Sequence, residues 1–128
     1  MQELNENQFG VEGAGETAPS GRDRRRHSRY AVAGEAEVII GDGALLFRGS
    51  IFDISLSGCF IATSARLTAT PGTRASLVFR AAGILLRAEA SLRSVRPGRG
   101  AGFLFVEMNE RARHELTLLI AACERSAV

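Results

Sequence analysis

Four arginines crowd into Arg24-Arg25-Arg26-His27-Ser28-Arg29-Tyr30, and some two dozen residues later comes Asp53-Ile54-Ser55-Leu56-Ser57-Gly58. Arginine presents a planar fork of donors that bonds phosphate or a guanine edge in bidentate fashion, and its plane stacks on rings. A carboxylate is complementary to the N1–H and N2–H donors of guanine, a serine adds a hydroxyl, and a glycine lets the backbone turn and a flat base approach. Each cluster also has a plainer reading. The basic run by itself is a solvated linker or a nonspecific phosphate binder, and the second cluster by itself is a turn in which Asp and Ser bond local backbone.

The elements that must position these residues are short. From Tyr30 onward, apolar or alternating segments are broken by turn signals, the pattern of an all-β barrel or sandwich. Six strands are expected, at about Ala31 to Ile40, Ala44 to Ser55, Cys59 to Thr63, Arg74 to Arg80, Ile84 to Val95 and Ala101 to Glu107. Gly41-Asp42-Gly43, Pro71-Gly72, Ala82-Gly83 and the Pro-Gly pair within Arg96 to Gly100 supply the turns. The end of the chain changes period. Asn109 is a good N-cap, Glu110 suits the first turn, and Ala112, Leu116, Leu119, Ile120 and Cys123 recur at spacings of three and four, predicting an amphipathic helix from Glu110 to Glu124. Its apolar stripe is expected to lie on the barrel, with a dimer contact as the alternative use.

Length and composition narrow the class. The 128 residues suffice for one domain, and no apolar run approaches the roughly 18 residues of a membrane helix. The N-terminus MQELNENQFG lacks the basic and apolar regions of a secretory signal. Cys59 and Cys123 form neither a disulfide framework nor a metal pattern and read as small core residues, which fits a cytoplasmic location. The net charge of +2 conceals an asymmetry: Glu3, Glu6, Glu12 and Glu16 precede the arginine run without a single base among them. Residues 1 to 21 have too few branched apolar side chains to offset the cost of ordering, so a disordered tail is expected there, with one domain over residues 22 to 128.

Arg25-x-x-x-Arg29 followed by Asp53-x-Ser55-x-x-Gly58, in a small β-rich chain ending in a helix, resembles the motif pair RxxxR and DxSxxG of the PilZ family. The likeness runs from about Arg24 to Cys123, and Gly102-Phe103-x-Phe105 is similar to the family's closing strand. It implies a six-stranded β-barrel with a C-terminal α-helix that binds cyclic di-GMP. Arg25 and Arg29 would meet phosphate and guanine, Asp53 and Ser55 would read a base edge, and Gly58 would shape the site. An arginine at Arg24, just before the motif, is similar to the family feature that accompanies an intercalated ligand dimer, which implies two ligands per chain. A mobile arginine segment that orders when the ligand bridges it to the barrel would act as a switch.

Other classes fit less well. His27 and His114 stand far apart in sequence, and no paired carboxylates or metal spacing suggest an enzyme or a cofactor. A small barrel binding nucleic acid would interleave aromatics for stacking, yet the chain has no Trp and one Tyr, and its seven Phe residues read as core. A PilZ-like module working only through protein contacts would be free to lose one of Arg25, Arg29, Asp53 or Gly58, and all are present. The expected partners are therefore cyclic di-GMP and a downstream protein that the sequence does not specify, with no membrane insertion and either a monomer or a homodimer.

Overall fold

The computed structural model describes residues 27–43 and 45–126. Six strands are β1 (Gly34–Ile40), β2 (Leu45–Ile54), β3 (Gly58–Ala62), β4 (Arg74–Ala81), β5 (Ile84–Arg96) and β6 (Gly100–Glu107). A helix, α1 (Glu110–Ser126), follows. Every neighbouring pair is antiparallel, and the order β1-β2-β3-β6-β5-β4 closes on itself through β1 and β4. Closure leaves no open sheet edge among these strands. The expected barrel and helix are both present. The one sizeable shift is at the start, where residues 31–33 lie outside the ladder and β1 begins at Gly34.

Alternation fills the interior. Ala36, Val38 and Ile40 from β1, Leu77 and Phe79 from β4, and Leu86, Ala88, Ala90 and Leu92 from β5 all point inward and are buried. Small alanines beside Phe79 and Leu86 let large side chains cross a narrow barrel. The connection over residues 63–73 carries the chain from β3 to β4, which lie apart in the barrel, and packs Leu67 and Ala69 against the core.

Helix α1 starts where expected because the Asn109 side chain accepts a hydrogen bond from the Ala112 amide at 2.8 Å. Ala112, Leu116, Leu119 and Ile120 join the barrel's own core, and Cys123 is buried on the same stripe. The stripe is thus used within the chain. Burying side chains of this size stabilises by about 1.5–3 kcal/mol for each large one.

Turn chemistry follows the glycines. Pro71-Gly72 and Pro97-Gly98 each place Pro second and a left-handed Gly third (φ 96° and 75°), the type II arrangement, and the bonds Thr73 N–H to Thr70 O and Arg99 N–H to Arg96 O close them. The β4–β5 hairpin differs. Ala81 pairs with Ile84, so the loop is only Ala82-Gly83, and both take positive φ (52° and 76°) as a type I′ turn demands. Ala82 is strained there, since its Cβ crowds the neighbouring carbonyl. Ala82→Asn should therefore stabilise the fold by about 1 kcal/mol, read as a higher midpoint in urea unfolding. An unchanged midpoint would mean that this turn carries no strain.

Candidate ligand-binding site

The two motif clusters meet at the end of β2. Tyr30 and Ile54 form an isolated antiparallel bridge, exchanging both backbone hydrogen bonds at 2.9 Å. In such a pair, residues flanking on the opposite face are diagonal neighbours within reach of long side chains. Arg29 and Asp53 stand in that relation, and Arg29 Nη1 donates to Asp53 Oδ1 at 2.9 Å. Their side chains keep 24% and 23% of their exposure, so the ion pair is partly buried in the barrel wall. A guanidinium carries five N–H donors, and this bond comes from one nitrogen. Arg24 and Arg25 lie outside the described residues, as does the expected tail. His27 is half-buried, and its Nδ1 has no hydrogen-bond partner among the described residues.

Asp53 reaches the outer surface through a break in alternation. Along β2 the inward positions run Phe47, Gly49, Ile51, and strict alternation would put Asp53 inside. Pairing with β3 instead shifts register: Ile51 faces Ile61, but Asp53 faces Phe60, leaving Phe52 as an extra residue. This β-bulge turns Asp53 outward and returns Ile54 to the core. The same device recurs on β5, where Arg93 is the extra residue between Leu92 and Ser94. Val95 then packs against the core while Arg96 faces out.

The turn after β2 is held by one side chain. Ser55 is 1% exposed, and its Oγ accepts from the amides of Ser57 and Gly58, both at 3.1 Å, while its own amide donates to the Gly58 carbonyl. The hydroxyl expected to meet a base edge is thus buried in the turn it stabilises, and the half-exposed Ser57 Oγ lies 3.2 Å away. Gly58 also has a different reason from the one expected. Its φ is not positive; rather, a Cβ there would run into the backbone carbonyl of Phe103, because β3 and β6 approach too closely for any side chain. Cys59 lies beneath the ion pair. Burial pushes its thiol far up, with the Arg29 charge lowering it and the Asp53 charge raising it.

Above this floor stands an aromatic group that the reading of all Phe residues as core missed. Phe52 is 64% exposed, and its ring meets Phe60 edge to face with centroids 5.9 Å apart. The Arg96 guanidinium lies over Phe60, 6.0 Å from its centroid. The missing signal was available in the inward register of Asp53, which only a bulge could relieve. On the far side of the motif, the Tyr30 hydroxyl donates to Glu124 of α1 at 3.0 Å. That bond is the main reason the phenol is held above its ordinary pKa, with desolvation second.

The family model for the PilZ domain matches residues 23–122. The chain belongs to the PilZ domain family. Among solved structures, this PilZ chain is similar to the PilZ domain of CeSA from a cellulose-synthesizing bacterium, at 21% identity and a TM-score of 0.62, covering 76% of this chain and 98% of that one. It is similar also to the PilZ domain of YcgR from Escherichia coli with c-di-GMP, at 20% identity and a TM-score of 0.64, over 82% of this chain and 95% of that one. The inhibitor of motility MotI from Bacillus subtilis aligns at 16% identity and a TM-score of 0.66 over 83% of this chain, which spans 52% of the MotI chain. At such identities the likeness establishes the fold. No curated protein sequence matches. No helix among the described residues is long and apolar enough to cross a membrane.

Two outcomes follow for the floor of the site. Gly58→Ala should destabilise the barrel by about 2 kcal/mol in urea unfolding, because a backbone carbonyl cannot give way as a side chain can; a neutral substitution would remove the close-approach argument. Cys59 should resist thiol alkylation in the native state at neutral pH and react on unfolding. Since the folded thiol keeps its proton to higher pH than the unfolded one, its contribution to stability is complete below the ordinary value of 9.0 and declines as pH rises beyond it.

Proposed function

We propose that this PilZ protein is a cytoplasmic receptor for cyclic di-GMP, a binding and signalling module with no reaction of its own. The observation that carries the reading is the Arg29–Asp53 ion pair, which joins the second arginine of RxxxR to the carboxylate of DxSxxG on the outer wall of the barrel. A guanine fits that pair on both sides: the guanidinium addresses O6 and N7 or a phosphate, and the carboxylate addresses N1–H and N2–H. The c-di-GMP that accompanies the PilZ domain of YcgR is consistent with this ligand class.

In this reading Arg25 and Arg29 hold phosphate and guanine, Asp53 reads the base edge, and Ser55 and Gly58 fix the turn that presents Asp53. Arg24 recruits a second ligand molecule, giving two per chain. The ligand bridges the Arg24-Arg25 stretch to the barrel and so fixes one against the other, and a downstream protein reads the resulting surface. No further cofactor is required.

Isothermal titration with cyclic di-GMP tests the proposal. Saturable binding with two ligands per chain is expected, weakening as salt is raised. Arg25→Ala, Arg29→Ala and Asp53→Ala should each cost at least about tenfold in affinity, the worth of a charge-assisted hydrogen bond. GTP and a single-stranded oligonucleotide should not compete. Binding of the oligonucleotide in place of cyclic di-GMP would transfer the site to nucleic acid, and no binding of either would leave a protein-interaction module.

A further inference from the structure

The residues assigned to the ligand so far supply charge and hydrogen bonds but no ring face, and a purine held by its edge still has two apolar faces to cover. The outer wall supplies a surface of that kind one residue away. Phe52 and Asp53 together oppose Phe60 across the β2–β3 ladder, because the bulge sets two residues of β2 against one of β3. Phe60 in turn faces Gly102 of β6, and Gly102 faces Ser94 of β5. The absence of a side chain on Gly100, two residues earlier on β6, leaves room for the Phe60 ring, one carbon of which lies 2.9 Å from where a Cβ would stand. The second bulge, at Arg93, brings Arg96 out over the same ring.

Two breaks in strand alternation therefore converge on one ring from opposite sides. Each has a cost in ladder hydrogen bonds, and each turns outward a residue that the regular pattern would have buried. A phenylalanine left 64% exposed beside a carboxylate is poorly explained by packing, since its nearest aromatic partner covers only an edge. Aromatic faces and guanidinium planes are the groups on which nucleobases stack.

We propose that Phe52, with Phe60 and Arg96 behind it, is the stacking wall of this site, on which a guanine of cyclic di-GMP lies while Asp53 and Arg29 hold its edge or phosphate. The inference rests on the receptor reading above and adds to it the residues that select a planar purine over a bare phosphate. Phe52 covers the base, Phe60 fixes the Phe52 ring edge-on, and Arg96 closes the far side of the platform.

The chain contains no Trp, so Phe52→Trp introduces a single tryptophan reporter at the wall. Titrating that variant with cyclic di-GMP should quench its fluorescence with the same midpoint that calorimetry gives. Phe52→Ala and Phe52→Leu should weaken binding by about 5- to 150-fold, the worth of one base stack, while Phe52→Tyr stays within a few-fold of wild type. Arg96→Lys, which keeps the charge but loses the plane, should also weaken binding. Phe52 is exposed, so thermal unfolding of these variants should match wild type, which separates lost binding from lost fold. If wild type binds and Arg29→Ala abolishes binding, but Phe52→Leu is unchanged and Phe52→Trp is not quenched, the wall is overturned and the receptor stands. If wild type fails to bind, both fall. Dissociation of a wild-type dimer by Phe52→Ala with unchanged ligand affinity would assign the ring to a self-association contact and overturn the wall.

Discussion

A closed barrel gives each strand residue two addresses, inside or outside, and the chemistry of this protein depends on where the alternation between them is broken. With period two enforced from Phe47 through Ile51, a carboxylate at Asp53 would be driven into an apolar interior. Burying an unpaired charge costs far more than the ladder bonds lost at a bulge. The extra residue Phe52 resolves the conflict by moving Asp53 outward, and Ile54 regains the core at full burial. The bridge from Ile54 to Tyr30 then depends on that corrected phase, and so does the position of Arg29.

Tyr30 gathers three elements into one place. Its backbone bridges to the end of β2, its side chain packs against the core, and its hydroxyl reaches Glu124 on α1. Residues 29 and 30 are therefore held to the barrel, and Tyr30 ties them to the helix as well. Displacement of residues 27–30 would have to break two backbone bonds of Tyr30 and two side-chain bonds, Tyr30 to Glu124 and Arg29 to Asp53, together. The helix contributes to this anchor only because its stripe from Ala112 to Cys123 is already committed to the core, which fixes the rotation that points Glu124 at the phenol.

Much of this was legible in the residues, and the exceptions share a cause. The two Pro-Gly turns, the cap at Asn109, the helix stripe and the strand count follow from local rules, and they stand where those rules place them. The meeting of Arg29 with Asp53 was legible as a motif pair. The role of Gly58 was not, since its constraint is the backbone of Phe103, a residue far away in sequence. Ser55 reads in isolation as an available hydroxyl, yet the turn closes around it. Phe52 and Phe60 sit among apolar neighbours and read as core, because a bulge leaves the composition of a strand untouched and changes only its phase. Local chemistry was visible, and the phase slip showed only in Asp53 falling on an inward position; close approach between distant strands left no mark in the sequence.

Fold and site draw on separate sources of free energy. A single partly buried ion pair such as Arg29–Asp53 contributes on the order of 1 kcal/mol after desolvation, whereas each large side chain inside the barrel contributes about 1.5–3 kcal/mol. Val38, Ile61, Leu77 and Phe79 are fully buried, and none of them touches the arginine motif by sequence or by pairing. The outer wall can therefore carry charge, an ion pair and exposed rings without endangering the barrel. The exceptions are the residues of the turn, where the Ser55 hydroxyl and the missing side chain of Gly58 serve the backbone. At that turn alone, holding the site in place and holding the barrel together are the same requirement.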